Sequence, residues 1–237
     1  QAALSQVVTD RTRTGVFAWY TLAGSVATAL GALAGGTITR VLGQTMAPVS
    51  TYRAVVILYA GLGVMLAALF SRLSRAAEAA TIGQGKAVRR AAASLSGLDQ
   101  SRAVFTRLSA LFALDSFGGG FVVQSFAAYW FYLRFGVDPG TLGAIFFCAN
   151  IFAGLSALVA ARLASRFGLI NTMVFTHLPS NVLLMLVPLM PTLRLAVAVL
   201  LVRFSISQMD VPTRQSYVMA VVTPDERSAA GGVTGVA

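Results

Sequence analysis

Apolar residues in this chain do not alternate with polar ones; they come in long blocks. Six blocks approach the roughly 20 residues an α-helix needs to cross a bilayer, near 15–39, 54–70, 108–133, 141–164, 169–190 and 193–212. Strands of a lipid-facing barrel would alternate over about ten residues, so the pattern predicts helices. The fold class it implies is an all-α polytopic membrane protein. The longest polar stretch, 71–106, is Ala-rich and basic and separates two blocks from four. It reads as a cytoplasmic linker between 1–70, the end of one helical bundle, and 107–237, a second bundle.

Composition changes that picture little but excludes much. Hydrophobic residues make up 57% of the chain and charged ones 11%, whereas a soluble domain carries about 25% charged residues. The net charge of +10 raises the question of nucleic acid. Most arginines, however, sit singly between apolar runs rather than on one basic face, so no nucleic-acid partner is expected. One cysteine, Cys148, and one histidine, His177, can form neither an intrachain disulfide nor an ordinary zinc cage. No metal or cofactor is expected. Counting basic residues between the blocks puts thirteen on one side and four on the other. The positive-inside rule places the thirteen, and both ends of the chain, in the cytoplasm. The chain opens on Gln1 and ends inside a fresh apolar run, so it reads as an internal piece of a longer protein.

Two formal charges lie well inside the blocks, Asp115 and Arg203, with Asp210 nearer an edge. At 1.5 Å per residue Asp115 should lie about 10 Å from the cytoplasmic boundary and Arg203 about 15 Å deep. Ionisable groups at such depth usually face a partner or a water-filled path. Arg203, Ser207, Asp210 and Arg214 recur at intervals of four, three and four, which aligns them on one helical face. Pro212 can kink that helix. Asp115 precedes Ser116, Gly118, Gly119, Gly120 and Gln124, a soft and partly polar segment. Arg203 could hold an anionic or zwitterionic substrate while Asp115 carries a proton, or the two could form a buried structural pair. His177, with Asn181 one turn on, is either a proton carrier or an interhelical hydrogen-bonder. Ser156 with His177 could be imagined as a catalytic dyad, but no second histidine or oxyanion donor accompanies them, and no enzyme is expected. Gly24, Gly31 and Gly35, with Ala27 and Ala34, leave one helical side bare for close backbone packing. Trp19, Trp130, Tyr129 and Tyr132 read as interfacial anchors.

The start of the chain also repeats. QAALSQVVTDRTRT slides onto QSYVMAVVTPDERS at an offset of 214, aligning Val7, Val8 and Thr9 with Val221, Val222 and Thr223, and Arg13 with Arg227. Parallel halves of a transporter leave such a trace. With this repeat, the linker and three motifs, the chain resembles the major facilitator superfamily. ARLASRFGLINT is similar to its G-x-x-x-D-R-x-G-R-R cytoplasmic loop, with Arg166 and Gly168 matching and Arg162 within it. GALAGG resembles the antiporter signature through Gly31, Gly35 and Gly36, with Ala32 in place of the proline. DVPTRQSYVMAVVTPDER, which contains Arg214 and Arg227, resembles the exit of the tenth helix in bacterial exporters.

The resemblance implies that the six blocks are helices five to ten of twelve and that 229–237 begins the eleventh. It implies that Asp115 and Arg203 lie on cavity-lining helices, with Gln124, Ser207, Asp210 and His177 along the same path. It further implies a monomeric inner-membrane carrier that exports a small molecule in exchange for protons. Proton-symport uptake and a non-transporting sensor or scaffold are the alternatives.

Overall fold

The computed structural model describes residues 10–72 and 102–222. Most of the 71–106 linker, the opening of the repeat's first copy, Arg227 and 229–237 lie outside the described residues. Eight α-helices follow in order: α1 (Asp10–Leu42), α2 (Pro48–Ser71), α3 (Arg102–Gly120), α4 (Gln124–Phe135), α5 (Pro139–Phe167), α6 (Leu169–Leu186), α7 (Leu193–Ser207) and α8 (Asp210–Val221). A 3-10 turn, Val187–Leu189, leaves α6. Among the described residues six helical segments are long and apolar enough to cross a membrane. No strand occurs among the described residues.

Local chemistry explains the ends. Pro48 and Pro139 occupy the first turns of α2 and α5, where a missing N–H costs nothing. Gly136, at φ 66°, closes α4 in the left-handed conformation that glycine adopts most cheaply. Gly168, at φ 87°, turns the chain from α5 into α6. That geometry accounts for the glycine in the ARLASRFGLINT loop, where Arg166 lies over the Phe167 ring.

Asp138 caps α5, accepting hydrogen bonds from the Gly140 and Thr141 amides and the Thr141 hydroxyl. The Thr141 hydroxyl, then its amide, hold the Asp138 carboxyl below its ordinary value, with Gly140 and Arg40 adding to the effect. A depressed folded value means that the cap contributes fully above the unfolded pKa of 3.8 and fades as pH falls through the folded one. Asp138→Ala is therefore expected to cost about 1 kcal/mol at neutral pH. Thermal unfolding should show that difference closing under strong acid.

Two of the six spans are broken. In the third, Gly118, Gly119 and Gly120 each weaken the helix by about 1 kcal/mol relative to alanine. The ladder gives way there to short-range bonds from the Phe121 amide to Gly118 and the Val122 amide to Gly119. In the sixth, the break falls at Gln208 and Met209. Pro212 has no N–H for the carbonyl four residues back, that of Gln208, and its ring crowds it. The sixth span then resumes as α8 and reaches Val221, so it runs over Leu193–Val221 rather than 193–212.

The core lies where α5 meets its neighbours. Phe146, Ala149 and Ala153 of α5 pack with Leu200 and Phe204 of α7 and with Phe131 of α4. Along its other side α5 takes α1 at backbone contact. A Cβ on Gly36 would sit 2.6 Å from the Pro139 carbonyl oxygen and 2.8 Å from the Gly143 Cα. A second small cluster joins Phe17 of α1 to Val218 and Met219 of α8 and to Val222. Beside it the Thr14 hydroxyl donates to Ser216 Oγ at 2.9 Å.

Gly24, Gly31 and Gly35 do not take part: a Cβ at any of them meets nothing within 4 Å among the described residues. The close approach uses the neighbouring helical face, because one residue turns a helix by about 100°. Trp130 also departs from its expected role as an interfacial anchor. It is half-buried, stacks edge-on against Phe131 and Phe135, and lines an internal cavity. Trp19, Tyr129 and Tyr132 are exposed.

Candidate functional site

The charged residues of three spans converge on His177. It projects from α6 with Nε2 3.1 Å from Asp115 Oδ1 on α3 and Nδ1 3.2 Å from Asp210 Oδ2 on α8. The second oxygen of Asp115 accepts from Arg214 on α8 at 3.3 Å. The result is a chain of charge, Asp210–His177–Asp115–Arg214, that ties α3, α6 and α8 together. A neutral imidazole owns one N–H, so it can donate to only one of the two carboxylates. A doubly protonated ring serves both. The site therefore has a place for one added proton between two acceptors.

A cavity of about 1020 Å³ opens beside this chain. Asp115, His177, Asn181, Arg203 and Arg214 supply polar groups to its wall, and the rest is mostly apolar. Asp210 is buried behind His177. Arg214 also lies over the Phe112 ring at 5.2 Å as it reaches Asp115.

Arg203 does not pair with Asp115, correcting the pair that depth alone suggests. No carboxylate lies within ion-pair distance of Arg203 among the described residues. Its guanidinium lies over the ring of the adjacent Phe204 at 4.9 Å, and its buried Nε has no hydrogen-bond partner there. The break at Gln208 and Met209 lets α8 present Arg214, eleven residues further along, to the carboxylate instead. Arg214 is thus part of a span rather than of a cytoplasmic loop.

Two other expected path residues stand apart. Gln124, exposed at the start of α4, does not line the cavity. Ser207 turns its hydroxyl back onto the Phe204 carbonyl at 3.4 Å. Ser156 is buried and donates to the Ala153 carbonyl at 2.7 Å, while both nitrogens of His177 face aspartates, so they make no dyad. The pairing of Arg214 with Asp115 and the cavity face of Trp130 were missed in sequence, although Arg214 was placed on the polar face of its helix. The four-residue step from Asp210 to Arg214 was the available signal.

The family model described as Major Facilitator Superfamily matches residues 1–237. The chain belongs to the major facilitator superfamily. Its described helices are a partial fold of that superfamily, whose members are membrane transporters. The chain is also similar to an uncharacterized membrane protein of Saccharomyces cerevisiae, 25% identical over 134 residues, which is 56% of this chain. It spans about 30% of the length of that relative. No solved structure matches the chain. Superfamily membership and six apolar helices make this a multi-pass membrane protein.

Proposed function

We propose that this chain belongs to a secondary carrier that exports a small molecule by alternating access and takes protons in exchange. The observation that carries the reading is the imidazole of His177 held between Asp115 and Asp210, beside a cavity. Two carboxylates, one of them buried, bridged by a histidine across three helices form a proton-loading point, and protonation there changes which helices attract one another. On this reading 1–70 ends the first bundle, 71–106 is the cytoplasmic linker and 107–237 belongs to the second bundle. Leaving Arg214 out, the sequence count of thirteen to four becomes twelve to four, and that bias supports both ends on the cytoplasmic face of the inner membrane. The carrier acts as a monomer, and it uses neither a metal nor a cofactor.

Symport uptake is the second reading. Gly36, the last glycine of the antiporter-like GALAGG, has a packing reason of its own against Gly143, which loosens the inference to exchange. In proteoliposomes holding the full chain and a pH-sensitive dye, a small-molecule panel is expected to include members that move protons. Asp115→Asn should reduce that movement to the passive leak. Substrate-dependent proton movement that survives the substitution would rule out Asp115 as part of the coupling, and the sign of the pH change separates exchange from symport.

A further inference from the structure

We infer that the cavity takes an organic monoanion: an apolar, ring-sized or longer body carrying one carboxylate that docks on Arg203. The meaning of this for transport rests on the carrier reading, but the binding itself does not.

Charge accounting in the cavity wall leads there. Its formal charges are Asp115, Arg203 and Arg214, with His177 as the titratable member. Asp115 already accepts contacts on both oxygens, from His177 and from Arg214. Arg214 is spent on that carboxylate and on the Phe112 face. Asp210, behind His177, holds its hydrogen bond there and acts on Arg203 only through space. Arg203 alone of the wall's charges has no counter-ion within ion-pair distance among the described residues; Asp210 attracts it only across a longer gap, and a guanidinium in a protein stays charged. Its Nε is buried without an acceptor among the described residues, and the guanidinium carbon lies 4.9 Å from the Phe204 ring centre. Such a flat, forked donor matches one carboxylate.

The same accounting disfavours other ligands. A cation or a zwitterion would have to share Asp115 with Arg214 and His177 for its ammonium group. A dianion needs a second free cation. The remaining wall, with Leu111, Leu114, Phe121, Phe126, Trp130 and Met185, offers hydrocarbon and aromatic faces. A cavity of about 1020 Å³ has room for a drug-sized molecule.

The test is calorimetric titration of the full chain in nanodiscs, at equilibrium and without a gradient. The probes are phenylbutanoate, biphenyl-4-carboxylate and naphthalene-2-carboxylate, each with its matching carboxamide and its matching primary amine. Among these, carboxylates are expected to bind at least about tenfold tighter than their amides, the weight of one charge-assisted hydrogen bond, and amines not at all. Arg203→Gln should bring the carboxylates down to the amides. Arg203→Lys, which keeps the charge, should retain the carboxylate-over-amide order at weaker affinity, and it decides the matter if the Gln variant fails to fold. Amines binding best, carboxylates binding no tighter than their amides, or carboxylates unaffected by Arg203→Gln would overturn the inference. Carboxylate binding without any coupled proton movement in proteoliposomes would remove the carrier reading and leave this one. Proton movement driven by amines would do the reverse.

Discussion

His177→Phe is expected to be the most disruptive single change at the site, lowering both stability and proton movement. Phenylalanine fills a similar space but offers nothing to the carboxylates. Asp210 is 7% exposed, and His177 is its side-chain partner among the described residues. Removing one member of a fully buried pair costs roughly 3–5 kcal/mol; with His177 35% exposed the loss is expected below that range, but Asp210 is still left largely shielded from water. Asp115 loses less, since Arg214 stays and its side chain is 40% exposed. The double variant His177→Phe/Asp210→Leu should recover much of the stability, because no charge is then stranded, yet recover no proton movement. Neighbouring sites are expected to be non-additive in this way. Thermal unfolding in detergent and dye-reported proton flux measure the two effects separately. An unchanged melting temperature in the single variant would show that the bridge contributes nothing to the fold.

Gly36→Val should have the next largest effect, and it acts at the opposite extreme of chemistry. The obstacles to a Cβ at Gly36 are backbone atoms, the Pro139 oxygen and the Gly143 Cα. Backbone cannot rotate out of the way as a side chain can, so α1 and α5 must separate. Overpacking typically costs 1–3 kcal/mol, occasionally more, and here it falls on the contact that holds α1 in place. Gly143→Val should do the same from the other side, where the Ala32 oxygen would lie 2.7 Å away. Gly35→Ala is the control: with open space at its Cβ it should leave the melting temperature unchanged or raise it slightly, by the helix propensity of alanine. The yield of monodisperse protein and its melting temperature report the contrast. Equal losses at Gly35 and Gly36 would mean that steric contact with α5 is not what makes the glycine necessary.

Much of the fold was legible before any coordinates. The six apolar blocks became six candidate spans, and the family resemblance carried by the repeat and three motifs holds across residues 1–237. The largest boundary error came at the sixth span, where DVPTRQ looks like the end of a membrane helix. Hydropathy falls there because Asp210 and Arg214 are polar, but both find partners inside the protein, so the helix continues to Val221. The candidate site was legible as a set of unusual residues. Asp115, Arg203, His177 and Asp210 stood out because charge or imidazole in an apolar block is costly. Their pairing was not legible. Depth along a span suggested that Asp115 meets Arg203, and depth says nothing about the direction in which a side chain leaves its helix.

The sequence by itself determined that this is a bundle of membrane-crossing helices, because each helix satisfies its backbone hydrogen bonds within its own segment and needs only local composition to do so. It also determined where helices weaken, at three consecutive glycines and four residues before a proline. Only the tertiary structure decided who touches whom. A step of one residue swings a side chain by about 100°, which separates Gly36, pressed against α5, from Gly35, facing open space. The break before α8 resets that rotation once more, giving Asp115 to Arg214 and leaving Arg203 in the cavity wall with no carboxylate within ion-pair distance among the described residues.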